Sequence, residues 1–403
     1  APHLERALAL TDRLPAREQL WIRRIVAQGR HDQAEAVRLA RQYLAEYPDD
    51  RDAWFSLGRA LQEAGDQQGA LAAYRRELEI DPRATSALVN SGVLYYVTGR
   101  PREALGMLHG AALLDSTVVT TVAFDLNRFY GFSFLSVGDS ARARAVFERL
   151  LTSGRPQQIN GLRSLALLDA YYGRYGRATG RLAQAVRLSA APGGGGVTEF
   201  RNRLYLAGME RTRGRQDAAR RQVRIADSMQ RGAGWPLSWL GLLGQHQARL
   251  GLVDDAAQLL STMEQRDTAA AASDALAAIA LVRGELGLVR GDPAAAVEAF
   301  TRAVRLHGAN YERQGLARAL LAAGRPEDAI TAYRAMLADS ALGWEVQEPW
   351  VLAHYELARL YDTQGDSAEA MPLYRRLADL WRNGDDDLPV LRDVRQRLDP
   401  SRR

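Results

Sequence analysis

Nine glycines, each followed five residues later by an alanine, run through most of the chain. They are Gly65/Ala70, Gly99/Ala104, Gly138/Ala143, Gly173/Ala178, Gly214/Ala219, Gly251/Ala256, Gly291/Ala296, Gly324/Ala329 and Gly365/Ala370, with Gly29/Ala34 as a weaker first rung. Four residues beyond each alanine of the main series stands an apolar or aromatic residue: Tyr74, Leu108, Phe147, Leu182, Val223, Leu260, Phe300, Tyr333 or Tyr374. A small residue one helical turn before a large one, always at the same distance from a turn glycine, is the pattern of a repeated helical hairpin.

The clearest copy runs from Trp54 to Pro82. Trp54, Leu57 and Leu61 share one face of a first helix, and Ala70, Leu71, Tyr74 and Leu78 one face of a second. Gly65-Asp66 makes the turn, Asp81-Pro82 ends the hairpin, and Gly58 and Ala70 are small where the helices approach. Neither helix can hide its apolar stripe alone, so each hairpin needs neighbours. A shift of about 34 residues carries Trp54, Gly58, Gly65, Ala70 and Tyr74 onto Leu88, Gly92, Gly99, Ala104 and Leu108. The pattern resembles the tetratricopeptide repeat (TPR). The resemblance implies an all-α solenoid, a right-handed superhelix of helical hairpins with terminal capping helices.

A solenoid grows by addition, so 403 residues need not divide into two or three globules. With 47% hydrophobic and 25% charged residues the composition is ordinary for a water-exposed fold. The formal charge is +5 and every basic residue is arginine. Base composition of the genome explains that bias, and a surface shaped for carboxylates or phosphates is the sharper alternative. Zero cysteines exclude disulfides, thiolate nucleophiles and cysteine-bound zinc, and leave cytoplasm and periplasm both open. The most apolar run, Thr268 to Val282, is too short to span a bilayer and carries Ser273 and Asp274. The start lacks a signal peptide's pattern and reads as a mature or excised piece.

Five segments follow. Residues 1–53 form an N-terminal cap helix (Leu4, Ala7, Leu8), a helix opened by Pro15, and a divergent repeat whose second helix runs from Gln33 to Tyr47. Residues 54–190 hold regular hairpins, 191–198 a glycine-rich loop, 199–386 further hairpins and 387–403 a C-terminal capping helix. In the Gly138 hairpin, helical phase sends Tyr130 and Phe134 toward the partner helix and Phe129 and Phe132 toward the inner wall; Phe124 belongs to the same aromatic run. The loop lacks the Gly-Lys-Ser/Thr and the preceding strand of a phosphate loop. The repeats at Gly251, Gly291 and Gly324 are alanine-rich, which predicts tight packing. Asp339 to Trp350 is an insertion with two exposed-looking tryptophans, Trp344 and Trp350, read as packing residues or as contact anchors. At the end Asp387 is expected to cap a helix with Pro389 in its first turn and Leu388, Leu391, Val394 and Leu398 as its stripe.

Two end segments narrow the resemblance. The entry TDRLPAREQLWIRRIVAQGRHDQAEAVRLARQYLAEYPDDRDAWFSLG and the exit YELARLYDTQGDSAEAMPLYRRLADLWRNGDDDLPVLRDVRQRL resemble the C-terminal TPR region of bacterial eukaryotic-like serine/threonine kinases and of TolB/TPR winged-helix regulators. In such proteins the repeats are joined to a catalytic or DNA-binding module. Here no Gly-rich loop with a downstream lysine and no His-Arg-Asp motif occurs, so kinase activity is not carried over.

No catalytic constellation emerges, and neither cofactor nor metal is expected. The histidines His3, His31, His109, His246, His307 and His354 are scattered without a metal-binding spacing. Asp385-Asp386-Asp387 lacks the spaced ligands of a calcium loop and fits a helix start better. Binding remains. The first helices of stacked TPR hairpins line a concave groove, and phase assigns to it Phe55, Arg59, Asn90, Tyr96, Arg128, Phe129, Phe132, Arg163, Tyr171, Leu204, Tyr205 and Arg211. Arginine and asparagine would hold a peptide backbone or carboxylate and the rings would supply contact area; the alternative is that several rings pack between adjacent first helices. The lysine-based carboxylate clamp of chaperone-binding TPR domains is excluded. The leading expectation is a non-catalytic scaffold for a protein or peptide partner, as in the recognition region of a signalling protein. The alternatives are a self-associating structural subunit of a larger assembly or filament and, last, nucleic-acid or polyanion binding through the Arg201–Arg224 patch.

Overall fold

The computed structural model describes residues 6, 8, 11–30, 32–118, 126–192, 196–231, 234–266, 273–339 and 347–399. The expected first cap helix, Phe124, His3, His31, most of the glycine run and Trp344 lie outside them. The described residues are helical throughout and contain no strand. Among the described residues no helix is long and apolar enough to cross a membrane.

Local chemistry accounts for the hairpins. All nine glycines of the series adopt positive φ, between 70° and 87°, the left-handed region that side-chain-bearing residues avoid. At Gly65 the amide donates to Gln62 and that of Asp66 to Leu61, which closes the first helix in a Schellman turn. Asp66 then caps the second helix, its carboxylate accepting from the Gly69 amide at 2.8 Å. Asp292 and Asp366 repeat the device. The nine alanines are all 0% exposed; a Cβ on Gly92 or Gly287 of the first helix would press on Ala104 or Ala296 of the second. A Cβ on Gly58 would collide with the Tyr74 ring, so the tight crossing expected there is present. Of the nine large residues, only Leu260 is left half-buried, with Leu259 and Met263 taking its place in the core.

The chain forms two compact units divided inside one helix, at Ala143/Arg144. Unit 1 comprises a 3-10 turn (Thr11–Arg13) and α1 (Ala16–Gly29), α2 (Gln33–Glu46), α3 (Arg51–Glu63), α4 (Gln67–Ile80), α5 (Thr85–Val97), α6 (Pro101–Leu114) and α7 (Leu126–Ser136), ending within α8 (Ser140–Arg149). Its core joins Tyr43, Leu57, Leu61, Tyr74 and Leu94 across successive hairpins. Arg17 and Asp50 hold the Tyr43 hydroxyl from two sides, each at 2.8 Å.

Unit 2 continues with α9 (Arg155–Tyr171), α10 (Tyr175–Ala190), α11 (Gly196–Thr212), α12 (Gln216–Gln230), α13 (Leu237–Arg249), α14 (Val253–Glu264), α15 (Ser273–Val289), α16 (Pro293–Leu306), α17 (Asn310–Ala322), α18 (Pro326–Ala338), α19 (Gln347–Thr363), α20 (Ser367–Leu380) and α21 (Pro389–Leu398). The alanine-rich hairpins pack closely, as expected: a Cβ on Gly241 would lie 2.6 Å from Ala278 and one on Gly244 2.6 Å from Val282. Unit 2 also closes on itself. Trp381, fully buried, packs on Gly173 and edge-on to Tyr175, and its indole N–H donates to the Tyr171 carbonyl at 3.0 Å. Asp385 accepts from the Gly176 amide and donates its own amide to the Gly173 carbonyl.

That closure corrects the reading of the acidic triplet. Asp387 does not cap α21: the N-cap is Leu388, with no side-chain cap. Asp385 is engaged with α10, Asp386 pairs with Arg395 at 2.6 Å, and Asp387 lies 4.0 Å from Arg213. Leu388, Leu391 and Val394 are buried as the stripe requires, with Leu398 half-buried. Trp350, expected to look exposed, is 7% exposed and edge-on to His354, because the closing helix α19 turns it inward.

Candidate interaction surface

Of the groove residues assigned by phase, unit 1 keeps three near solvent. Phe55 on α3 is half-buried, its ring 5.9 Å from that of Tyr74. Arg59, one turn on, is exposed and paired only with Glu63 at 2.8 Å. Asn90 on α5 is half-buried and spends one amide proton on the Ser86 carbonyl.

The other unit 1 candidates are interior. Tyr96, Arg128, Phe129 and Phe132 are all buried. Phe129 meets Tyr96 edge-on at 5.6 Å, so here a ring does pack between adjacent first helices. The rings of Tyr130 and Phe134 meet at a tilt, 5.0 Å apart; Phe134 lies under Arg142 of its partner helix, and Tyr130 also reaches back to His109 with a 2.8 Å hydrogen bond.

In unit 2 the assigned residues line an interior rather than an open groove. Arg163, Leu204 and Tyr205 are buried, with Arg163 donating to Asn160 at 2.6 Å, while Tyr171 and Arg211 are half-buried. Arg211 belongs to a charged core that the phase argument missed. Glu285, 0% exposed, accepts from Arg249 Nε at 2.7 Å, from Arg318 at 3.0 Å and from Gln245 at 3.2 Å. Burial alone would raise the Glu285 carboxyl, but the two guanidinium groups outweigh it and hold it well below its ordinary value. Burial, reinforced by Arg211 and Arg249, depresses His246 to about 3, which keeps the imidazole neutral. Glu348 bonds Thr212 across the closure. One signal for this core was visible: Arg283 and Glu285 interrupt the apolar stretch of α15.

The arginines of the 201–224 segment do not share one face. Arg201 lies over Trp239, Arg203 pairs with Glu199 at 2.7 Å, and Arg213 is inserted between Thr179 and Glu210. Arg221 and Arg224 point to solvent and Arg220 bonds the Leu250 carbonyl. Among the described residues no group of acidic or histidine side chains could hold a metal ion.

With this geometry in place, the relatives can be set beside it. The tetratricopeptide repeat family model matches residues 23–85, 281–343 and 314–385. No curated protein matches the sequence. Among solved structures, a tetratricopeptide repeat protein from Parabacteroides merdae superposes with a TM-score of 0.51 at 14% identity, covering 75% of this chain and 98% of that one. The human IFIT1 dimer with PPP-AAAA gives 0.44 at 18% identity, covering 85% and 82%. Pseudomonas aeruginosa pilF gives 0.40 at 22%, covering 54% and 93%. At 14% identity the Parabacteroides merdae protein is a likeness of fold alone; with the family model it shows that the chain carries tetratricopeptide repeats in an all-α solenoid.

Proposed function

We propose that this repeat chain is a non-catalytic scaffold that binds an extended peptide or protein segment along the first-helix face of unit 1. The supporting observation is that Phe55, Arg59 and Asn90, from two consecutive first helices, keep solvent access while their counterparts in unit 2 are packed inside. An aromatic edge beside a weakly paired guanidinium and a half-satisfied amide suits a peptide backbone or carboxylate. TPR proteins generally mediate protein–protein contacts, which agrees with this use. The finer assignment, to the recognition region of a signalling protein, rests on the two end segments.

The test is affinity capture from the source cell with the full chain and with a Phe55→Ala, Arg59→Glu, Asn90→Ala variant. Loss of a reproducible partner, with unchanged helicity and melting, supports the surface. An unchanged partner list overturns it. Arg128→Glu or Phe132→Ala, which lie in the core, would report unfolding instead.

A further inference from the structure

Two adjoining cavities of about 400 and 240 Å³ open beside α20 of unit 2, and His354 and Arg376 stand in the walls of both. The smaller is otherwise lined by Tyr171, Trp350, Leu377 and Leu380, so it is aromatic and aliphatic on every side but one. The larger extends between Arg334 and Pro372.

Several groups here are left wanting a partner. The indole N–H of Trp350 is buried with no acceptor among the described residues, which leaves a desolvated donor uncompensated. His354 Nδ1 lies 3.3 Å from the Val351 carbonyl, so Nδ1 carries the proton and Nε2 is an acceptor. Burial, then the Arg376 charge, depress His354 to about 4, which leaves the imidazole neutral. Arg376 has no ion-pair partner among the described residues, whereas Arg334 is paired with Glu369 at 3.3 Å. Pro372 has no N–H to give the Ala368 carbonyl, and both residues border the larger cavity.

We propose that this site binds a small carboxylate with a short aromatic or aliphatic body. The body would fill the Tyr171/Trp350/Leu377/Leu380 pocket, and the carboxylate would sit on Arg376 with the Trp350 indole as a second donor. One unpaired guanidinium flanked by apolar walls and a neutral imidazole matches a single negative charge; a phosphate would call for more cations.

Phenylacetate is the probe, titrated across the millimolar range into the full chain. The readout is the Trp350 indole resonance in proton–nitrogen NMR, assigned with Trp350→Phe. Saturable movement of that resonance is expected. Binding should weaken about tenfold or more in Arg376→Gln, as for a lost charge-assisted hydrogen bond, and likewise when uncharged 2-phenylethanol replaces the acid. Arg375→Gln, the exposed neighbour, should bind like the parent, and Leu380→Trp should abolish binding by filling the pocket. No saturable shift in the parent protein overturns the proposal, as does equal binding by the Arg376→Gln and Arg375→Gln variants.

Discussion

Units 1 and 2 are written in the same repeat, yet they differ in what they do with the charges of their inner helices. In unit 1 Arg59 of α3 faces water beside Glu63, although Arg128 of α7 is buried. In unit 2 Arg249 and Arg318 converge on a fully buried Glu285. Helix length acts at the closure of unit 2 rather than at every hairpin. The first helices α3 and α5 have 13 residues, as do α13 and α17 of unit 2, whereas α9, α11, α15 and α19 each have 17. Four more residues add roughly 6 Å of helix, and side chains from that extra turn, Tyr171 and Thr212 among them, meet the returning helices. Where the succession of hairpins returns to its own start, the inner wall becomes a core. Charges already on that wall must then find partners.

The contrast can be broken most severely at the closure. Trp381→Ala should cost unit 2 about 4 kcal/mol, as for other buried aromatic deletions. Hydrogen exchange should show α9, α10 and α20 losing protection while α3–α5 keep theirs. Equal loss in both units would mean the closure does not set them apart. Glu285→Gln should follow at about 3 kcal/mol, since it strands the nearly buried Arg249 and the half-buried Arg318, and thermal melting would register the change.

Acidity separates the units by sign. Burial raises the Glu77 carboxyl of unit 1 to about 7 from an ordinary 4.5, against the pull of Arg51. That group's contribution is complete below about 4.5 and is lost as pH climbs through 7. Burial and its arginine neighbours depress His246 to about 3 from 6.5. Its contribution is complete above about 6.5 and declines as pH falls toward 3. Acidification from 6.5 to 5 should therefore tighten exchange in α4 and loosen it in α13. Glu77→Gln should flatten the first trend, with a gain on the order of 2 kcal/mol at pH 8, and His246→Gln the second.

Turn glycines should not distinguish the units at all. Gly65→Ala and Gly251→Ala meet no atom within 4 Å but force φ of 84° and 77° on a residue with a Cβ, so each should cost about 1 kcal/mol. The smallest effect is expected for Arg59→Ala, which breaks only an exposed ion pair and should change stability by less than about 0.5 kcal/mol. That near-neutrality lets loss of a partner by an Arg59 variant be read as loss of binding.

The hairpins were readable because their causes are local. A left-handed glycine, the aspartate that follows it in several turns and an alanine five residues on each act within a single turn, and all nine positions behave alike. The groove assignment depended on the same helical phase, and it placed Phe55, Arg59 and Asn90 near solvent while sending Tyr96, Phe129 and Arg163 to what is in fact packed interior. Phase says which side of a helix a residue occupies, not what lies across from it. Asp387 misled for a related reason: the end of unit 2 docks on α9–α11, so an acid placed to cap a helix acquires other surroundings, while Trp350 takes the packing role, the first of the two readings given to it.

The order of residues therefore determined the repeat itself: where each helix stops, which small residue sits at each crossing, and which large one fills the core beside it. Only the tertiary structure decided that unit 2 meets its own beginning and buries Glu285 between two arginines. The rotation from one hairpin to the next is small, set by packing at every crossing, and its consequence emerges only when many such steps are summed in space.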